Sequence, residues 1–458
     1  MPRLRLMLAA AVLSLATRPA STPAQVPAEW AADVRALLAA MDSIHPDPYR
    51  IHPRAEWERL AAEIEARVPT LRYHQFVAEL ARLVALAADG HTRLGNIRLA
   101  DHQRVVVDPG PGEALDSFYP IDVHVFADGL YAVRAHGSHR ALFGKKIVAI
   151  NGVATAEAFD RVSPFIAADN DAWRLRVFPD LLRSPGFVAG AGLAASPAEP
   201  LRLTVAELDG RTQEHRVDVG LPPGDWMDVD RALRPDVERP LWRRLEGRFA
   251  FTHLPEGAVV YVRYREVQNA EGESIAVFAE RLVRFVDSSK TERLVIDLRG
   301  NGGGNNYLNQ PLIHGLIRAT SVNRPGSLFV ITDRGTFSAA MNFVGEVERN
   351  THALFAGEPT GAPVNHYGDS RRVTLPASGI QVRISSLYWQ FSDPRDARPW
   401  VVPDLPVPLR FEDWLSGRDP VIEAVLAYRH DESAPVRPPN TNWRRPTQKA
   451  DLGPLVRW

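Results

Sequence analysis

The chain has 458 residues, 45% of them apolar and 24% charged, with a formal net charge of -1. That length is too great for one ordinary core and predicts two or three domains, while the near-neutral balance excludes a general polyanion or nucleic-acid binder. Cysteine is absent, which excludes disulfide staples and a lipidated cysteine.

The basic start Met1-Pro2-Arg3-Leu4-Arg5 precedes a mostly apolar run over 6–16 and the small residues Thr22-Pro23-Ala24. This pattern predicts a signal peptide over 1–24 and a periplasmic or secreted protein. No integral membrane span is expected after cleavage, because a span needs about 20 apolar residues. Residues 25–105 read as a helical domain, with amphipathic segments at 31–41, 53–68 and 73–86. It ends in the polar loop Ala87-Ala88-Asp89-Gly90-His91-Thr92-Arg93-Leu94. Residues 106–220 predict a small β-rich domain, with strands at 121–125, 130–134, 146–150 and 201–205, a helix at 155–166 and an Asn151-Gly152 turn. In residues 221–430, strands at 259–265, 294–298, 327–332 and 353–356 interleave with helices at 273–287, 308–316 and 338–348. Such alternation predicts an α/β core of parallel sheet covered by helices. A further strand is expected at 382–386, and 431–458, rich in proline and arginine, reads as a surface tail.

Two strand ends of this core carry the chemistry. One is Leu294-Val295-Ile296-Asp297-Leu298-Arg299-Gly300-Asn301-Gly302-Gly303-Gly304, whose glycines can turn backbone N–H groups toward a ligand. The other is Phe329-Val330-Ile331-Thr332-Asp333-Arg334-Gly335-Thr336-Phe337-Ser338-Ala339-Ala340, which sets Ser338 at a strand-to-helix corner with the Ala339 N–H in the first helical turn. A serine hydroxyl needs a base to become a nucleophile. Lysine occurs only at Lys145, Lys146, Lys290 and Lys449, so none follows Ser338 within the core and a Ser–Lys pair is disfavoured. Histidine remains, and His91 is the most distinctive, with His352, His366 and His430 downstream of the serine. His124 and His136 are isolated, no cluster has metal-ligand spacing, and the glycine run lacks the Lys-Ser/Thr end of a phosphate loop. Neither metal nor cofactor is expected.

Taken in order, Asp89-Gly90-His91-Thr92, Leu298-Arg299-Gly300-Asn301-Gly302-Gly303-Gly304, Gly335-Thr336-Phe337-Ser338-Ala339-Ala340 and Gly357-Glu358-Pro359-Thr360-Gly361 carry a resemblance. Over most of residues 30–425 the chain resembles the tail-specific, or C-terminal-processing, serine proteases of peptidase family S41. Within them it resembles the branch related to tricorn protease rather than the Ser–Lys branch. The resemblance implies a crotonase-like (ClpP/crotonase superfamily) protease core, Ser338 as nucleophile and His91 as general base. It also implies an oxyanion hole of Ala339 N–H with Gly302 or Gly303. Glu358 stands near the lysine position of the Ser–Lys members. In the tricorn branch a glutamate lies shortly before a Pro-Asp pair; here that pair is Pro403-Asp404, and Asp396 has the spacing, as an aspartate. Glu358 and Asp393 are the other candidates for orienting His91. Phe143-Gly144-Lys145-Lys146-Ile147-Val148-Ala149-Ile150-Asn151-Gly152 is similar to part of a PDZ module, which would capture a peptide by strand addition, although a plain hairpin accounts for the same residues.

The leading expectation is a metal-independent serine endopeptidase acting on polypeptides through a Ser338 acyl-enzyme. Two other readings use the same residues: a non-catalytic apolar-ligand or peptide-binding protein on this fold, and a serine hydrolase of small esters or amides. Oligomeric state stays open.

Overall fold

The computed structural model describes residues 25–95, 118–207, 210–220, 225–254, 258–431, 433 and 455–458. The expected signal peptide and most of the expected tail lie outside them. The chain opens with helices α1 (Ala31–Ile44), α2 (Arg54–Arg67) and α3 (Tyr73–Ala85). Gln75 Oε1 caps the start of α3 by accepting the Arg72 N–H at 2.9 Å. One face of α3 buries Phe76, Leu80, Leu83 and Val84. The two-residue strand β1 (Arg93–Leu94) follows the His91 loop.

The β-rich region forms one antiparallel sheet from β2 (Ile121–Phe126), β3 (Gly129–His136), β4 (Lys146–Ile150), β5 (Val153–Ala154), β6 (Leu201–Ala206), β7 (Thr212–Val217) and β8 (Trp226–Asp228). Its order is β2-β3-β4-β6-β7, with β5 beside β4 and β8 beside β3. Three helices interrupt it: α4 (Thr155–Val162), α5 (Asp171–Leu182) and α6 (Pro185–Gly190). The sequence pattern does not announce α5, because Pro179 lies inside it. The helix holds because Asn170 Oδ1 caps the Trp173 N–H at 2.9 Å and Phe178, Leu181 and Leu182 are buried.

Short helices α7 (Val229–Leu233) and α8 (Leu241–Arg244) lead into the core. There β9 (Phe249–Leu254), β10 (Val259–Tyr264), α9 (Ile275–Ser288), β11 (Arg293–Asp297), α10 (Gln310–Arg318), β12 (Leu328–Thr332), α11 (Ala339–Asn350) and β13 (Leu354–Gly357) alternate. β14 (His366–Gly368), β15 (Arg371–Thr374), β16 (Gln381–Ile384), β17 (Leu387–Trp389), β18 (Leu405–Pro406), α12 (Phe411–Leu415) and α13 (Pro420–Ala427) complete the described elements. The core sheet runs β18-β13-β12-β11-β10-β9, parallel except for the β9 edge. Alternate residues face opposite sides. Val260, Val262, Leu294, Ile296 and Val330 join the cluster of Phe278, Leu282, Leu312 and Val344, while Val259, Tyr261, Val295, Phe329 and Ile331 join Val421 and Val425 of α13. β16 leaves this sheet and pairs with β1, Arg93 opposite Arg383 and Leu94 opposite Val382, which ties the His91 loop to the core. No helix among the described residues is long and apolar enough to cross a membrane.

The glycine loop after β11 stands on a buried ionic brace. Asp297, fully buried, accepts from Tyr261 Oη and from the Arg299 side chain, and Arg299 reaches on to Asp419 at 2.7 Å. Arg263 donates to the carbonyls of Asp297 and Arg299 at 3.1 and 2.6 Å. Removing one partner of such a set leaves the others buried without compensation. Asp297→Ala is therefore expected to cost about 3–5 kcal/mol of stability, measured by urea unfolding.

Candidate active site

The loop after β12 and the glycine loop after β11 are stitched together. Asp333 Oδ1 accepts from the Gly300 and Gly335 N–H groups, each at 2.9 Å. Thr336 Oγ1 donates to the Leu298 carbonyl at 3.2 Å, and the Phe337 N–H to the Asn301 carbonyl at 3.0 Å. These bonds hold Ser338 at φ 54° and ψ -130°, a conformation that costs a non-glycine residue energy and lifts its side chain out of the corner. Gly303, at φ +102°, lies so close that a Cβ there would stand 2.6 Å from Ser338 Cβ and 2.7 Å from the Ala339 nitrogen. Only glycine fits. The Gly303 N–H itself donates to Asn301 Oδ1 at 2.9 Å. The Ala339 N–H opens α11, Gly302 is exposed, and neither N–H has an intramolecular acceptor among the described residues.

The His91 ring is brought to this corner. It stacks on Phe337, the neighbour of Ser338, with centroids 4.3 Å apart, and Phe337 stacks in turn on Trp173 of α5 at 4.0 Å. A Cβ on Gly90 would meet Phe337 at 2.9 Å and Trp173 at 3.0 Å, so the glycine before His91 permits this packing. A Cβ on Gly368 would lie 3.8 Å from His91 Nε2. On the other side of the ring, His91 Nδ1 faces Asp89 Oδ1 at 3.7 Å. Asp89 is fully buried and accepts from the His91 N–H at 2.9 Å, from Thr92 Oγ1 at 2.6 Å and from Ser385 Oγ at 2.6 Å. His45 Nε2 lies 3.4 Å from its second oxygen. Burial would raise the Asp89 carboxyl, but the facing His45 and His91 rings and the Ser385 hydroxyl overcome it and hold the group well below the usual carboxylate range. Asp89 therefore stays an anion behind the His91 ring.

None of the three acids expected to orient His91 is found on it. Asp396 and Glu348 both grip Arg398, at 2.7 and 2.9 Å, which ties the chain before β18 to α11. Glu358 accepts from Arg334 at 3.2 Å, and Asp393 from Arg395 at 2.9 Å. The expectation for Asp396 is corrected on physical grounds: an arginine two residues away captures its carboxylate in bonds from Nε and Nη2. Asp89 belongs to the same four-residue motif as His91 and was legible there. Ser385, far along the chain, carries no local signal. Lys145 and Lys146 are engaged elsewhere, Lys145 with Glu207 at 2.6 Å and Lys146 with the Arg457 carbonyl at 3.0 Å.

Residues 258–407, which include both loops, match peptidase family S41, in agreement with the serine-type peptidase expected from the sequence. Among solved structures, mature CPAF complexed with lactacystin is 14% identical with a TM-score of 0.61, over 87% of this chain and 97% of its own. Mature CPAF by itself gives 0.58 at 14% identity, over 87% and 96%. No curated protein sequence matches. These structures correct the expectation of a crotonase-like (ClpP/crotonase) core, because over 87% of its length the chain shares the fold of mature CPAF instead, and residues 258–407 match family S41. Strand–helix alternation is shared by many α/β architectures, so it identifies the class of sheet and not the superfamily.

His366 lies beyond His91, their rings 5.6 Å apart and 11° from parallel. Burial, aided by the nearby His91, lowers the His366 pKa to about 3. It is therefore neutral near pH 7 and adds no charge beside the His91 ring. Because an unfolded histidine protonates near pH 6.5 and the folded one resists, this group favours the fold fully above that pH and loses its contribution as the pH falls toward 3. Between pH 7 and 5, wild type is expected to lose about 1–2 kcal/mol more unfolding free energy than His366→Gln, measured by urea titration at each pH.

Proposed function

We propose that this protein is a serine endopeptidase of the Ser–His kind, with Ser338 as nucleophile, His91 as general base and Asp89 as the group that orients and charges His91. The observation that carries this reading is the strained Ser338 pressed against Gly303, with His91 stacked on the adjoining Phe337. His91 Nε2 takes the Ser338 hydroxyl proton as Oγ attacks the peptide carbonyl. The carbonyl oxygen, now an anion, receives hydrogen bonds from Ala339 N–H and Gly302 N–H, two donors without competing acceptors among the described residues. His91 passes its proton to the leaving amine, and water then releases the acyl group by the same route in reverse. Asp89 stabilises the imidazolium formed in both steps.

The engaged lysines support the tricorn-related Ser–His branch over the Ser–Lys one. The basic start and apolar run over 6–16 support export to the periplasm or beyond.

On an unstructured peptide substrate, Ser338→Ala and His91→Ala are each expected to lower kcat/KM by about 10⁴-fold or more. Asp89→Asn should lower it by about 10²–10⁴-fold. Asp396→Asn should leave kcat/KM within a few-fold while lowering thermal stability, since its partner is Arg398. Full activity in Ser338→Ala, or an Asp396→Asn loss matching that of His91→Ala, would overturn these roles.

A further inference from the structure

The strand that follows the His91 loop carries charge that no neighbour answers. In the three-stranded sheet β1-β16-β15, Arg93 stands directly opposite Arg383, and Arg383 directly opposite Arg372. Directly opposed residues of neighbouring strands share a face, with Cβ atoms about 5 Å apart. Three arginine side chains therefore stand in one row, with Arg383 in the middle. On the other face Leu94 and Val382 are buried and Val373 is half-buried, which fixes the register that produces the row. Arg371 adds an exposed charge at the start of β15. Among the described residues none of these four arginines makes an ion pair or a side-chain hydrogen bond.

Like charges set directly opposite one another weaken a sheet. The acids that flank these strands do not relieve the row. Asp89, four residues before Arg93, faces His45 and His91 and accepts from Ser385, while Asp369, two residues before Arg371, forms no ion pair among the described residues. Burial and the neighbouring Arg383 push the Arg93 pKa down from its ordinary value, against the pull of Asp89. What the row lacks is an anion, and its place in the fold points to the source. Arg93 comes two residues after His91, about 7 Å along an extended chain. Ser385, two residues after Arg383, bonds the carboxylate behind the His91 ring, and Ser370, beside Arg371, donates to the His91 carbonyl at 2.8 Å. Arg93 also lines an otherwise apolar cleft of about 440 Å³ with Gly90, Phe165, Ile166 and Trp173.

We propose that the row of Arg93, Arg383 and Arg372 is an anion-binding site beside the catalytic corner, and that it takes acidic side chains of the polypeptide substrate. Carboxylates of an acidic segment receive charge-assisted hydrogen bonds from the planar guanidinium groups, and the repulsion within the row is relieved when they do. The three arginines act on the choice of substrate and not on the chemical step, because they hold a part of the substrate away from the bond that breaks. The anion site stands on register and charge alone, whereas its role in substrate selection rests on the serine peptidase reading.

The test uses the full chain carrying Ser338→Ala, so that peptide is bound without being cut, and a rhodamine-labelled Glu-Gly-Glu-Gly-Glu-Gly peptide with uncharged ends, followed by anisotropy. This peptide should bind at least about tenfold more tightly than its Gln-Gly-Gln-Gly-Gln-Gly counterpart, and Arg383→Gln should remove the difference. Arg372→Gln, at the exposed edge of the row, should reduce it and decides the matter if circular dichroism finds the Arg383 variant unfolded. Arg284→Gln, which removes the same charge from the exposed face of α9, should leave binding as it was. In the chain with Ser338 intact, a peptide substrate carrying the Glu block should have a KM about tenfold below that of the Gln version, with similar kcat, and Arg383→Gln should abolish the advantage. Equal binding of the two peptides, a preference that survives in both folded row variants, or an equal loss in Arg284→Gln overturns the anion site. Glu binding that leaves KM unmoved overturns its role in substrate selection. Absence of hydrolysis by wild type refutes the peptidase reading instead, and the anisotropy result still decides the anion site.

Discussion

The close approach of Gly303 to Ser338 is the contact on which the rest of the site depends. It requires two loops at the ends of neighbouring parallel strands to meet with no side chain between them, and it holds Ser338 at a positive φ that the residue would not adopt alone. The energy for that strain comes from below. Asp297 with Arg263 and Arg299 fixes the first loop, and Asp333 fixes both by accepting from Gly300 and Gly335. The outcome is a corner where Gly303 packs directly on Ser338 Cβ and on the Ala339 nitrogen.

His91 reaches this corner by packing more than by hydrogen bonding. Its ring sits in a stack running Trp173, Phe337, His91, His366. The charge behind it is Asp89, kept anionic by two hydroxyls and by His45. A carboxylate two residues before His91 constrains the loop and the ring together, since Oδ1 accepts the His91 backbone N–H and also faces Nδ1. This arrangement leaves the acids near Pro403 free to serve the fold, as Asp396 does through Arg398.

Much of this was legible in the sequence. The buried runs of β10, β11 and β12 are continuous in apolar residues, as parallel central strands must be, and each glycine-containing strand end signalled a loop with a task. What escaped did so for physical reasons. α5 contains Pro179, which argues against a helix until tertiary packing outweighs the lost hydrogen bond. Ser385 joins Asp89 only because β16 pairs with β1, and antiparallel partners so distant in sequence carry no local pattern. The crotonase-like expectation came from the resemblance and not from the strand–helix alternation, which identifies only a parallel sheet covered by helices. Asp396 was read from spacing alone, and spacing does not reveal that Arg398 takes the carboxylate first.

The most direct measurement of the central claim is the site and stoichiometry of a covalent adduct. Intact-mass analysis after reaction with a fluorophosphonate, followed by peptide mapping, should find one adduct per chain, on Ser338, formed at a rate that collapses in His91→Ala. An adduct on another residue, or one on Ser338 that forms equally fast without His91, would contradict the account.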